Sequence, residues 1–323
     1  MKNLIALRNT LLGTGVLLCA ICSCRVGYGQ AEEQPTVDVS GQTAGQPESP
    51  PAIIERSSRP VPDDEARWKA KLLAVHKKLP SSDFTVVRQD PFIVIGDEAP
   101  GTVRKRARST VKWSVDRLKE LYFDKDPDEI IEVWLFKDGE SYRTHAWTLF
   151  QDKPDTPYGY YSHTHNALIM NIATGGGTLV HEIVHPFMAT NFLDCPAWFN
   201  EGMGSLYEQS SQRNDHIIGL TNWRLAGLQQ AIESDSVPLF ETLMFTTERE
   251  FYDEDPGTNY AQARYLCYYL QEHDLLYKYY HSFLQNRLTD PTGFSTLKKT
   301  LKQDDLVEFQ KEWEQWVMKL QFP

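Results

Sequence analysis

Apolar residues recur at two different periods along this chain, and the change of period divides it. In "FTVVRQDPFIVIGD" (84–97) the apolar positions form two short β-rich runs around Pro91, and "IIEVWLF" (130–136) reads as another strand. "YGYYSHTHNALIMNIA" (158–173) carries a further strand, read as the edge of the sheet. Between these runs, "RWKAKLLAVHKKL" is helical, and so is "VRKRARSTVKWSVDRLKELYF", with Val111, Val115, Leu118 and Tyr122 on one stripe. "GGG" (175–177) then breaks the chain, and a helix begins near Thr178. After it the spacing is helical almost throughout, in "PAWFNEGMGSLYEQ", "NWRLAGLQQAIE", "YAQARYLCYYLQEHDLLYKYYHSFLQ" and "DDLVEFQKEWEQWVMKL". The pattern predicts an α+β fold with a β-containing part over 63–177, holding a small mixed sheet, and a mostly helical part over 178–323.

The first 62 positions follow neither period. Lys2 and Arg8 precede the apolar run "LLGTGVLLCAIC" (11–22), which is too short for a comfortable membrane span and reads as an export signal over 1–31. "ICSC" offers a loose lipobox ending before Cys24, and "GQA" (29–31) offers an ordinary cleavage site after Ala31. The expected location is therefore outside the cytoplasm, as a membrane-tethered lipoprotein or a secreted or periplasmic protein. Residues 32–62 are rich in Pro, Gln, Ser and Gly, a composition that reads as a disordered tether.

Charge narrows the partners. The 323 residues hold 33 Lys and Arg against 44 Asp and Glu, and loss of 1–31 removes three of the cations and no acid, leaving a net charge of −14. Such a surface disfavours nucleic acid and anionic membrane, so membrane contact is expected only through the N-terminal anchor or signal. In so acidic a chain the RKRAR run reads as a solvated helix face. Of five cysteines, only Cys195 and Cys267 lie beyond the signal; they could form one disulfide or stay as two buried thiols.

The chemistry concentrates in "LVHEIVHPF" (179–187). On a helix, His181 and His185 share a face, with Cβ atoms about 5–6 Å apart, and two imidazoles so placed can bind one zinc ion. Glu182 stands beside the first histidine, placed to act as general base for an attacking water. The bland alternative is a buried helix with two hydrogen-bonded histidines. A catalytic zinc site usually takes three protein ligands, and "PAWFNEGMGSLYE" supplies Glu201 downstream. Pro196 and the short "NFLDC" loop allow a second helix to run back past the first. Trp198 and Phe199 would pack inward there, and the small residues of "GMGS" would permit a close approach. A surface acid is the alternative for Glu201. His163 and His165 read either as a second metal pair or as residues of the cleft rim. The acidic run "EREFYDEDPG" lacks Ca²⁺-loop spacing and reads as a solvated loop.

H-E-x-x-H followed by "WFNEG" resembles the gluzincin, peptidase MA-like, zinc metallopeptidases, close to secreted and lipoprotein members. The resemblance extends over roughly residues 84–290. It implies a zincin-like domain over 63–323, with an edge strand lying over the active-site helix to receive an extended peptide. It also implies Zn²⁺ held by His181, His185 and Glu201, with Glu182 as base. In several gluzincins a tyrosine of a later helix supports the oxyanion, and "NYAQARYLCYYLQ", which resembles that helix, puts Tyr260 in the role.

The chain also departs from relatives of that group. The metzincin positions hold Met188 and Asn191, the acid four residues after the glutamate ligand of thermolysin-like enzymes is Ser205, and no GAMEN segment is found. Pro186 should bend the ligand helix. The expected activity is endopeptidase-like, on peptide or protein substrates. The alternatives are a scaffold lipoprotein that keeps the peptidase fold without turnover, and a zinc hydrolase of a non-protein amide such as a cell-wall crosslink.

Overall fold

The computed structural model describes residues 64–254 and 258–322; the signal and tether readings fall on residues outside these. Helix α1 (Asp64–Lys78) leads into strands β1 (Thr85–Gln89) and β2 (Phe92–Gly96). Helices α2 (Pro100–Arg106) and α3 (Trp113–Leu121) follow, joined by a π-helical stretch at Ala107–Lys112. Then come β3 (Ile131–Phe136), α4 (Gly139–Phe150), β4 (Gly159–Ser162) and β5 (Ala167–Asn171). The sheet order is β1-β2-β3-β5-β4, with β2, β3 and β5 parallel and the two edge strands antiparallel to their neighbours.

The three inner strands read as continuous apolar runs because both of their faces are covered. Phe92, Val94, Ile131, Val133, Leu135, Leu168 and Met170 face one core, which the stripe of α2 and α3 also enters. Ile93, Ile95, Trp134, Phe136 and Ile169 face the other, beneath α1 and α4.

Two parts of this half depart from the periodicity reading. The segment 158–173 is a hairpin of two strands, so His163 and His165 sit in its turn rather than on a strand face. Helix α4 carries only Tyr142, Ala146 and Phe150 as its buried apolar stripe, too sparse to stand out, and its start is fixed by the Asp138 carboxylate accepting from the amides of Glu140 and Ser141.

The second half supplies the layer on the first core. Helices α5 (Gly177–Asn191) and α6 (Ala197–Tyr207) pack as a pair, and the two-stranded hairpin β6 (Ser210–Arg213) and β7 (His216–Gly219) follows them. Helices α7 (Arg224–Glu233), α8 (Phe240–Met244), α9 (Glu248–Tyr252) and α10 (Asn259–Glu272) come next. The chain closes with α11 (Leu276–Asn286), α12 (Phe294–Leu301) and α13 (Leu306–Val317). Helix α5 runs unbroken through Pro186 to Asn191, with Pro186 itself buried. Asn191 then ties the helix end to the sheet half, accepting from the amides of Asp124 and Lys125 and donating to the Lys125 carbonyl.

The acidic run read as a solvated loop is in part helix α9, set by a capping box between Thr247 and Glu250, with Phe251 and Tyr252 buried. Cys195 and Cys267 are free thiols, and burial pushes both upward, the reverse of what a nucleophilic thiol needs. Among the described residues no helix is long and apolar enough to cross a membrane.

Candidate metal centre

The fold is α+β, and it brings His181 and His185 of α5 together with Glu201 of α6. One ligand atom from each lies within 4.8 Å of the others, and all three residues are enclosed by protein. His181 Nε2 is 3.1 Å from Glu201 Oε2, and His185 Nε2 is 3.8 Å from Glu201 Oε1. Ligands held about 2.0–2.2 Å from one tetrahedral ion stand roughly 3.3–3.6 Å apart. The two imidazole-to-carboxylate distances lie close to that spacing, and the group could hold a metal ion.

Two features of sequence make this approach available. The loop after Asn191 turns the chain so that α6 packs back on α5, with Trp198 and Phe199 fully buried beside Glu201. Gly204 faces the His181 ring: a Cβ there would lie 3.2 Å from three of its atoms. At the start of α5 the fit is closer still, since a Cβ on Gly177 would come within 2.3 Å of the Glu208 carbonyl oxygen.

Each ligand is backed by a partner. Asn200 Oδ1 lies 3.1 Å from His185 Nδ1, and an acceptor there leaves Nε2 with its lone pair facing inward. The Tyr252 hydroxyl donates to Glu201 Oε1 at 2.8 Å. His181 Nδ1 lies 3.2 Å from Glu208 Oε1, in an oblique approach that is more a contact of charge than a well-aimed hydrogen bond. Glu208 in turn accepts from Arg224 and Asn222.

Burial and charge oppose each other here. Burial alone would strip the His181 proton, but the carboxylates of Glu201 and Glu208 outweigh it and hold the ring well above 6.5. Burial alone would raise Glu201; the electrostatic pull of the neighbouring His185 and the hydrogen bonds from His181 and Tyr252 hold it at about 2 instead. Glu208 is likewise driven up by burial, yet Arg224 and His181 bring it to about 2.

A measurable consequence follows for metal uptake. A ring whose pKa is raised keeps its proton at neutral pH, and a metal must displace that proton from Nε2. Zinc binding near pH 7 should release roughly one proton, and its apparent affinity should rise about tenfold per pH unit until the His181 pKa is passed. Calorimetric titration in two buffers of different ionisation enthalpy reads the proton count. Uptake with no proton release would show that the His181 ring is already neutral before the metal binds.

Glu182 is 3 % exposed and lies on the ligand helix next to His181. Tyr260, at the start of α10, has its ring centroid 6.4 Å from that of Tyr252. Its ring also lies 5.3 Å from the Arg224 guanidinium. The Tyr252 hydroxyl touches a candidate ligand, Glu201. His163 rests on the Tyr161 ring, and His165 Nε2 meets the Phe150 carbonyl at 3.2 Å. Among the described residues, His181, His185 and Glu201 form the metal-capable group.

Sequence reasoning missed Tyr252, Asn200, Glu208 and Arg224. Asn200 was visible inside "WFNEG", and Glu208 stands seven residues after Glu201, two turns along the same face, where only the four-residue spacing to Ser205 had been tested. Tyr252 left no signal beyond an aromatic pair in an acidic run. No family model matches the chain, and no curated protein matches it.

Proposed function

We propose that this protein is a zinc metallopeptidase of the gluzincin type, with a zincin-like domain, working outside the cytoplasm on peptide or protein substrates. The observation that carries the reading is the buried convergence of His181 and His185 of α5 with Glu201 of α6, each with an outer partner, while α5 also carries Glu182 next to His181. A purely structural zinc site has no use for a general base at the position of Glu182.

Zinc held by these three residues would supply Lewis-acid polarisation of a carbonyl and a lowered pKa for water. Glu182 takes the proton from the attacking water as the new C–O bond forms at the carbonyl carbon. The same carboxyl then passes the proton to the amide nitrogen, so the C–N bond breaks with release of an amine. Tyr260 donates to the oxyanion. Strand β4, at the outer edge of the sheet, gives an extended peptide a main chain to pair with.

The first test is metal content of the purified protein by elemental analysis, wild type beside His185→Ala, followed by a peptide-library screen. One zinc per chain in the wild type, lost in the variant, together with cleavage that a chelator abolishes, supports the reading. A wild-type protein without zinc affinity ends it. Zinc without cleavage of any peptide would leave the non-protein amide or the scaffold reading in its place.

A further inference from the structure

Glu208 is held by more than its contact with His181. Arg224 grips it with a two-pronged fork, Nε to Oε2 at 3.2 Å and Nη2 to Oε1 at 2.8 Å. Asn222 Nδ2 adds a third donor at 3.1 Å, and Asn222 Oδ1 accepts the Arg224 amide, closing a small ring of bonds at the start of α7. Asn222 is 1 % exposed and is itself pinned by the Tyr265 hydroxyl.

The faces of the same guanidinium are also in use. Its carbon lies 4.3 Å from the Trp223 ring and 5.3 Å from the Tyr260 ring. Although Arg224 sits at a surface turn beside a half-exposed Trp223, its side chain is only 10 % exposed. A planar cation can bond a carboxylate through a two-pronged edge while rings stack flat on its faces; an ammonium has neither the fork nor the flat face.

We infer that Arg224 is a positioning residue of this site, acting in two directions: it holds the Glu208 carboxylate against the Nδ1 edge of His181, 3.2 Å away, and through its face it packs the ring of Tyr260. The inference rests on the zinc reading above. Outer partners of metal ligands typically contribute 10- to 100-fold in affinity, and Arg224 would contribute on that scale without touching the metal or the substrate.

The test is a double-mutant cycle read first as zinc affinity, by competition with a chelator, so that turnover is not needed. Arg224→Lys keeps the charge and loses the fork, and should weaken zinc about 10- to 100-fold. In a Glu208→Gln background the same change should alter affinity by less than about 2-fold, because the route through the carboxylate is already cut. Glu208→Gln alone should lose as much as Arg224→Lys, which keeps the test alive if the arginine variant does not fold.

The second reading is kcat at saturating zinc. Arg224→Lys should lower it in the wild-type background and leave it unchanged when Tyr260 is already Phe. Thermal unfolding of the metal-free proteins separates a general loss of stability from a loss specific to zinc. Wild-type zinc affinity in both Arg224→Lys and Glu208→Gln overturns the inference, and so does an undiminished arginine effect in the Glu208→Gln background. A wild-type protein that binds no zinc at all instead defeats the reading on which the inference rests.

Discussion

Glu182→Gln is expected to lower kcat/KM by about 10²- to 10⁴-fold while zinc content stays at the wild-type level. Glutamine matches glutamate in shape, so the packing of α5 around a residue only 3 % exposed is kept. On the metallopeptidase reading, what it loses is the capacity to accept a proton from water and return it to the leaving amine. His181, His185 and Glu201 remain, each with its own support from Glu208, Asn200 or Tyr252, so the metal has no reason to leave. Elemental analysis and kcat/KM on one cleaved peptide must be measured on the same preparation. Loss of zinc in the variant would make Glu182 part of the binding set and remove it as the base. Unchanged cleavage would place the base elsewhere, and unchanged biological function without cleavage would favour a scaffold.

How far the sequence reaches into this site depends on how local each contact is. His181 and His185 were legible because their juxtaposition needs nothing but one helical turn. The place of Glu201 beside the histidines was legible at one remove, through a proline, a short loop and the small residues that let α6 approach; a Cβ on Gly204 would lie 3.2 Å from the His181 ring. The supports were not legible. Tyr252 arrives from a five-residue helix 51 positions downstream of Glu201, and Arg224 from a surface turn, and neither contact follows from any period. The same division holds for the fold. The inner strands declared themselves as largely apolar runs because both faces are covered, with Glu132 of β3 the buried exception, paired with Lys71 and Lys78, whereas α4 buries too few apolar side chains to stand out. The strand read over 158–173 failed for a further reason: its apolar ends belong to two strands, and the polar "SHTH" between them is the turn.

The largest loss of metal is expected for Glu201→Ala, in which zinc affinity should fall by more than the roughly 100-fold upper range of an outer partner. The carboxylate is 1 % exposed and stands between both imidazoles and the Tyr252 hydroxyl. On the proposed reading, its removal takes away one of three ligands and the only negative one. Without metal, the same change breaks a buried charge pair, which ordinarily costs about 3–5 kcal/mol. The cost here should fall below that range, since Glu208 still faces the other nitrogen of His181. The pH dependence has a definite sign. Glu201 is held near 2 in the folded protein, so its contribution to stability is present above the ordinary carboxylate range and is lost as pH falls from there towards 2. Glu201→Ala should therefore narrow the stability gap to wild type on acidification of the metal-free proteins. Denaturant melts at neutral pH and near pH 3 measure that gap, and chelator competition measures the affinity. A variant that keeps wild-type zinc affinity would remove Glu201 from the ligand set, while a stability gap that widens in acid would mean that the carboxylate is not held ionised by its histidines. The two readouts bear on different jobs of one side chain, because only the affinity depends on an ion being there.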